Sequence, residues 1–142
     1  MSAHTLTPPT RPADSVLSLR TVRGVLALDA LVTGGNGLAY LILAGPVGEL
    51  LGVGRSTLVE LGAFLTVYAV AVGALAARRR PPRAAVWTVT GLNAVWVVLS
   101  LVAPEVWLEP TTAGSVWIAA QAAVVALFVA LQSTALRRAD RT

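Results

Sequence analysis

Residues 110–136 read PTTAGSVWIAAQAAVVALFVALQSTAL and contain no Asp, Glu, Arg or Lys. This uncharged stretch is long enough to cross a bilayer as a helix, since about 20 apolar residues suffice. Three further charge-free stretches precede it, at residues 30–48, 61–77 and 84–104. Backbone groups inside a bilayer must be hydrogen-bonded within their own segment, so each stretch predicts a transmembrane α-helix.

We therefore predict an all-α integral membrane four-helix bundle with spans at residues 24–44, 57–77, 84–102 and 113–136. The spans leave an N-terminal tail of residues 1–23, three short connections and a C-terminal tail of residues 137–142. The N-terminal tail is rich in proline and lacks apolar periodicity, so it is expected to be a flexible lead. These remaining segments leave no room for a soluble catalytic domain.

The composition agrees with the membrane class. Of the 142 residues, 56% are hydrophobic and 13% are charged, whereas soluble domains carry about 25% charged residues. The chain has no Cys, and its single His and single Met are His4 and Met1 in the tail. Thiolate metal sites and haem or imidazole ligation inside the bundle are therefore excluded, so no metal or cofactor is expected. A Ser-His-Asp arrangement would need His4, so no catalytic residue is assigned.

The arginines predict the orientation, because basic residues close to span ends are retained in the cytoplasm. The side of the bundle opposite to most arginines carries Arg55, together with Glu49, Glu105 and Glu109. Both termini are therefore predicted to be cytoplasmic. The arginines are not interleaved with aromatic residues on a polar segment, so no nucleic-acid partner is expected. Ten of the eleven arginines fall on the predicted cytoplasmic side: Arg11, Arg20, Arg23, Arg78, Arg79, Arg80, Arg83, Arg137, Arg138 and Arg141.

The two predicted hairpins share a pattern. Gly34 and Asn36 in the first span match Gly91 and Asn93 in the third, and a proline and a glutamate follow each pair. Two interpretations stay open. In the first, the chain contains a parallel duplication, that is, a two-hairpin pseudo-repeat. In the second, the shared pattern is one that any two membrane hairpins show when arginine is inside and proline outside.

Asp29 is the outstanding polar residue, because it lies inside the first predicted span about 8 Å from its cytoplasmic end. A lipid-facing carboxylate would cost about 2.5 kcal/mol or more there, so Asp29 must face inward, be neutral or be paired. One interpretation is a carboxylate that binds and releases a proton. The other is an ion pair with Arg20, Arg23 or an arginine of the inner loop.

Four further polar residues lie deep in the spans: at a rise of 1.5 Å per residue, Asn36, Tyr68 and Asn93 fall roughly 13 to 18 Å above the cytoplasmic boundary, and Gln121 falls about 22 Å above it. They are predicted to form one midplane polar layer, with Asp29 below it. Two alternatives stay open for this layer. Its members cross-link helices through hydrogen bonds worth about 0.6 kcal/mol each, or they line a small polar pocket or pathway.

The inner loop contains four arginines, Arg78, Arg79, Arg80 and Arg83. Such a polybasic cluster beside a membrane can bind anionic lipid head groups. The same residues also act as topology determinants. Both interpretations are kept.

A short lead, a Leu-Arg pair opening a glycine-containing first span, and four spans in 142 residues resemble the DoxX-like class of small bacterial membrane proteins. The residues that carry the resemblance are Leu19, Arg20, Gly24, Gly34 and Gly45. It implies a four-helix inner-membrane protein and nothing more specific. Small multidrug resistance transporters also have four spans and an acidic residue in the first, but that residue is a Glu in a shorter chain, so their substrates are not carried over.

These patterns predict a small polytopic membrane protein without enzymatic activity. It is either an accessory or assembly component of a membrane complex or a small-molecule-binding protein. The alternative is a proton-coupled transporter of a small solute that works as a homodimer through Asp29. The expected partners are the lipid bilayer and either further copies of this chain or a larger membrane complex. Abundant Ala, Val, Gly and Arg with no Lys favour a bacterial plasma membrane.

Overall fold

The computed structural model describes residues 12–141, and within this range it contains helices and no strand. Four of the helices are long and apolar enough to cross a membrane. This confirms the predicted all-α class and the four long apolar helices, while the cytoplasmic termini and the duplication remain predictions. The helices are α1 (Pro12–Ile42), α2 (Ala44–Leu51), α3 (Arg55–Ala77), α4 (Arg83–Val106) and α5 (Thr112–Ala139).

The start of α1 differs from the prediction. The helix begins at Pro12, so residues 12–23 are helical where a flexible lead was expected. Proline suits the first helical position because its backbone nitrogen needs no partner there and its fixed φ angle matches the helix. The remainder of the predicted lead, residues 1–11, lies outside the described residues.

The short helix α2 was not predicted, because residues 45–51 were assigned to a connection and Ala44 to the end of the first span. Its C-terminus is formed by Gly52, which has a φ of 70°, and the Gly52 backbone N–H donates to the carbonyl of Gly48. Glycine adopts this left-handed conformation without steric cost. The loop before α5 secures α2, because the Thr111 hydroxyl donates to the Leu50 carbonyl at 2.6 Å and the Thr111 N–H donates to the Leu51 carbonyl at 3.1 Å.

Two helix pairs form the bundle. α3 packs chiefly on α1, α4 packs chiefly on α5, and α1 also contacts α5, whereas α3 and α4 make little backbone contact. Glycine brings α1 and α3 close together: a Cβ built on Gly37 would lie 2.9 Å from the Thr66 nitrogen, and one built on Gly62 would lie 2.8 Å from the Gly37 oxygen. Small residues at a helix crossing allow this approach.

The two ends of the bundle differ in charge. At one end the Arg23 Nε donates to the Ala76 carbonyl at 2.9 Å, and Arg83 forms an ion pair with Asp140. This end, called the arginine end, joins the start of α1 and α4 to the end of α3 and α5. The other end carries α2 and is called the α2 end. Apolar side chains form one core cluster towards each end, the first around Leu26 and the second beside Leu51 and Leu58 on the α2 side.

Candidate functional site

Asp29 is buried at the centre of a hydrogen-bonded group between the helices. Its side chain is 1% exposed. Its Oδ2 accepts hydrogen bonds from the Asn93 Nδ2 of α4 and the Gln132 Nε2 of α5, both at 2.7 Å. Its Oδ1 accepts from the Thr33 hydroxyl, one helical turn along α1, at 3.1 Å. One carboxylate therefore ties three helices together.

Two hydroxyl groups orient the amides that contact Asp29. The Tyr68 hydroxyl of α3 donates to the Asn93 Oδ1 at 3.0 Å, and the Thr90 hydroxyl donates to the Gln132 Oε1 at 3.1 Å. The Thr90 hydroxyl also lies 3.0 Å from the Val86 carbonyl, and the Asn93 Nδ2 lies 3.4 Å from the Gln132 Oε1. Each amide oxygen therefore has a donor within reach, while both amide N–H groups contact the carboxylate. We call Asp29, Thr33, Tyr68, Thr90, Asn93 and Gln132 the carboxylate network.

The carboxylate network is fully satisfied but contains no cation. Among the described residues, no buried side-chain nitrogen or oxygen lacks a hydrogen-bond partner. Arg23, one of the predicted ion-pair partners of Asp29, donates to the Ala76 carbonyl instead. The donors that the structure gives to Asp29 are neutral, and a neutral donor stabilises a carboxylate without changing the net charge of the site.

A second polar group, the Tyr40 cluster, lies closer to the α2 end and consists of Asn36, Tyr40, Trp117 and Gln121. The Tyr40 hydroxyl accepts hydrogen bonds from the Trp117 Nε1 at 2.8 Å and from the Gln121 Nε2. The Asn36 Nδ2 donates to the Gln121 Oε1 at 3.0 Å. The cluster connects α1 to α5. In both hydrogen bonds that the structure gives to the Tyr40 hydroxyl, this hydroxyl is the acceptor.

The four residues of the predicted midplane layer are brought together as two pairs. Asn36 contacts Gln121 in the Tyr40 cluster, and Tyr68 contacts Asn93 in the carboxylate network. Asn93 also reaches Asp29, which the sequence placed below the layer. The four residues are therefore divided between two levels of the bundle.

Gln132 and Thr90 are members of the carboxylate network that were not among the predicted site residues. Gln132 is 1% exposed and Thr90 is 4% exposed. The rise of a helix supplies a signal for Gln132: it lies four residues before the predicted span end at residue 136, so it falls about 6 Å from the cytoplasmic boundary, level with Asp29. Thr90 lies one turn from Asn93 on the same helical face.

A cavity of about 790 Å³ is lined by residues of all five helices, with 13 of its 24 lining residues on α1 and α5 and eight on α3 and α4. It is open at the side of the bundle, because lining side chains such as Leu31 and Val95 are more than half exposed. Residues of α2, among them Val47 and Leu50, line its end. Both polar groups reach its wall: Thr33, Tyr68 and Asn93 from the carboxylate network, and all four residues of the Tyr40 cluster. Most of the remaining wall is apolar. Asp29 is absent from the wall and lies directly behind Thr33 and Asn93.

Aromatic side chains are concentrated in this wall. Among the 24 residues that line the cavity are six of the eight aromatic residues of the chain, and both exceptions are tryptophans, Trp87 and Trp107. Side chains bridge the gap between the α3 and α4 backbones, because the Phe64 ring stacks on the Trp96 ring with centroids 6.0 Å apart and an interplanar angle of 16°. The six aromatic residues are Tyr40, Phe64, Tyr68, Trp96, Trp117 and Phe128.

The four arginines of the inner loop lie at the arginine end, away from the cavity. Arg78, Arg79 and Arg80 are exposed, and Arg83 is paired with Asp140. Their binding to anionic lipid head groups stays a prediction. Within residues 12–141 no group of three or more His, Cys, Asp or Glu side chains could hold a metal ion.

No family model, curated protein or solved structure matches this chain. The resemblance to the DoxX-like class therefore stays an expectation. What the chain does must be argued from the cavity and from the two polar groups.

Proposed function

We propose that this chain is an integral membrane protein that binds an amphipathic small molecule in the cavity lined by its five helices. The observation that carries the proposal is the cavity itself, about 790 Å³ of mostly apolar space into which seven polar side chains converge. Binding sites for small molecules have volumes of about 300–1,000 Å³, apolar walls and a few placed polar groups. The proposed role is binding without catalysis.

The size of the cavity favours ligand binding over mere cross-linking of helices. Helix cross-links need side chains that touch, and protein interiors are normally packed as densely as organic crystals. The cavity is open at the side of the bundle, so it is filled either by a bound molecule or by the lipid chains around the helices. The Tyr40 cluster and the carboxylate network both connect helices, yet both also present atoms to the empty space. A ligand with an apolar body and a polar group fits these two properties together.

The four long helices supply the proposed location. If they span a bilayer, the arginine end faces the cytoplasm, since basic residues near span ends are retained there. Both termini are then cytoplasmic, and the cavity lies in the half of the bundle that carries α2, towards the external face. We keep the bacterial plasma membrane as the proposed location, on the composition of the chain.

The proposal is tested by filling the cavity. Ala120 and Ala119 are neighbouring exposed residues of α5, and Ala120 lines the cavity whereas Ala119 does not. Native mass spectrometry of the tagged chain, gently extracted from its own membrane, is expected to find a bound small molecule. We expect Ala120→Trp to reduce its occupancy by roughly tenfold or more, which corresponds to about 1.4 kcal/mol of binding energy.

The matched control is Ala119→Trp, which adds the same indole to the same helix outside the cavity and should retain the bound molecule. Equal occupancy in both variants would count against the cavity as the binding site. Recovery of a stoichiometric foreign subunit and no small molecule would overturn the proposal in favour of the accessory role. A bound membrane phospholipid that survives Ala120→Trp would also overturn it.

A second candidate function, proton-coupled transport of a small solute by a homodimer, is favoured by the position of Asp29. This carboxylate lacks a cationic partner among the described residues and is connected to the cavity wall through Thr33 and Asn93. The compound recovered by mass spectrometry would be loaded into proteoliposomes across a pH gradient. Transport requires gradient-driven movement with the native chain and none with Asp29→Asn. Equal movement with both would contradict a proton-coupling role for Asp29.

A further inference from the structure

The cavity opens beside the middle of the helices rather than at their ends. Leu31, Phe64 and Val95 line it and are more than half exposed, and each lies near the centre of one of the long apolar segments. At the other extreme, residues of α2 line the end of the cavity, and Thr111 fastens α2 to the loop before α5. If the long helices span a bilayer, the opening faces the hydrocarbon region, and a ligand reaches the cavity from the bilayer.

The wall of the cavity is uncharged. Its 24 lining residues, all within the described part of the chain, include no Asp, Glu or Arg. Asp29 lies behind the wall, and its contacts with Thr33, Asn93 and Gln132 fit an ionised and a protonated carboxyl group equally, so they assign no charge to the ligand. Burying a charged group without a partner costs far more free energy than burying a neutral group that finds hydrogen bonds. The wall therefore favours an uncharged ligand.

The Tyr40 cluster has hydrogen-bonding capacity that the protein does not use. A primary amide side chain can form about four hydrogen bonds, two as a donor and two as an acceptor. Among the described residues, Asn36 forms one hydrogen bond and Gln121 forms two. These counts stay the same if both amides are turned over. Both side chains are partly exposed and line the cavity, so they offer donors and acceptors to a ligand.

The amides of the carboxylate network lack this spare capacity. Asn93 and Gln132 each form three hydrogen bonds, and neither is more than 5% exposed. Inside a bilayer no water is present to complete the hydrogen bonds of Asn36 and Gln121, and a polar group left without a partner is costly. A ligand group that both donates and accepts would complete them. The polar end of the ligand is therefore placed at the Tyr40 cluster, and its apolar part along the rest of the wall.

We infer that the cavity selects an uncharged lipid-like molecule of the bilayer, with the Tyr40 cluster binding a head group that both donates and accepts hydrogen bonds. A primary amide or an alcohol on an apolar chain has this chemistry. The inference rests on the proposed function, because it names the ligand class of the same site. A phospholipid does not fit it, because its phosphate is charged and the wall holds no partner for that charge.

The test compares three probes that share one oleyl chain and differ in the charge of the head group: oleamide, oleyl sulfate and oleyltrimethylammonium. Each is added at the same low mole fraction to phosphatidylcholine nanodiscs that hold the full chain, and native mass spectrometry counts the probe bound to the protein. Occupancy that Ala120→Trp removes is assigned to the cavity. We expect this occupancy to be about tenfold or more higher for oleamide than for either charged probe. Equal or higher occupancy by a charged probe would overturn the inference.

A fourth probe, 1-octadecene, has an apolar chain without a head group and isolates the role of the Tyr40 cluster. Gln121→Leu and Asn36→Leu are each expected to lower oleamide occupancy by about fivefold or more, through lost hydrogen bonds, and to leave octadecene occupancy unchanged. The matched control is Thr134→Leu, an exposed polar residue of the same helix as Gln121 that lies outside the cavity. It should alter neither occupancy. Equal effects on the two probes in both cavity variants, whether a loss or none, would contradict head-group binding by the cluster.

Two further outcomes separate this inference from the proposed function. If a charged probe binds as well as oleamide and Ala120→Trp removes both, the cavity binds small molecules without selecting the head group, and only the inference fails. If no probe is enriched over its mole fraction in the lipid, or if Ala120→Trp removes none of the bound probe, the proposed site fails as well. We expect Ala120→Trp to remove oleamide and Ala119→Trp to retain it.

Discussion

Replacing Asp29 with leucine is expected to destabilise the bundle strongly. The change removes the acceptor for the Asn93 and Gln132 N–H groups, which are both buried. Each stranded donor costs roughly 1–3 kcal/mol, so the unfolding free energy should fall by several kcal/mol. The measurement is reversible unfolding of the purified chain in mixed detergent micelles with increasing dodecyl sulfate, followed by tryptophan fluorescence.

Asp29→Asn is the control that separates hydrogen bonding from charge. An asparagine side chain can place its amide oxygen where Oδ2 lies and accept both amide hydrogen bonds. Its NH₂ group can then donate to the Thr33 hydroxyl, which turns to accept. We expect a loss under about 1 kcal/mol, the size of one ordinary hydrogen bond. If asparagine were as damaging as leucine, the charge of Asp29 rather than its acceptor atoms would hold the bundle together.

The sequence predicts the long helices well because each one carries its own signal. Four charge-free stretches flanked by arginine and proline specify four apolar helices regardless of how they pack. The stripe formed by Asp29, Thr33, Asn36 and Tyr40, at spacings of four, three and four, likewise follows from one helix alone. In the structure, Asp29 is buried at the interior and the other three line the cavity.

The partners of these residues could not be predicted in the same way. Which residue of α1 meets which residue of α4 or α5 depends on the rotation and axial offset of the helices, and neither is encoded in the periodicity of one helix. The stripe is therefore divided, with Asp29 and Thr33 in one network and Asn36 and Tyr40 in another. The height of a residue in the bilayer, calculated from the helical rise, limits which residues of two helices can meet, as for Gln132. It does not select one pair among those that remain.

Helix α2 and the cavity both depend on tertiary contacts, and the local sequence gives only weak signals for them. The sequence of α2, AGPVGELL, contains two glycines and a proline, which are poor helix formers. Its contacts with the loop around Thr111 compensate for that weak propensity. The cavity is formed by side chains of all five helices, so it depends on how the helices pack. The only sequence signal for it is the set of aromatic residues within the predicted spans.

The second prediction concerns orientation, and its expected result is all or none. Because the chain contains no cysteine, a single introduced thiol reports one position without a background. Ser56 is exposed at the α2 end, and Pro82 is exposed at the arginine end. A membrane-impermeant maleimide is expected to label Ser56→Cys in intact cells and to label Pro82→Cys only after the membrane is permeabilised. Both changes keep every arginine, so the residues that set the orientation are unaltered.

The labelling pattern also decides which side of the membrane the cavity lies closer to. If Ser56→Cys is labelled from outside, α2 and the Tyr40 cluster lie in the external half of the bundle. Asp29 then lies nearer the cytoplasm, at the inner end of the cavity. The reverse pattern would contradict both the predicted cytoplasmic termini and the external cavity. It would leave the packing of the helices untouched, because none of the hydrogen bonds that hold Asp29 depends on which end of the bundle faces out.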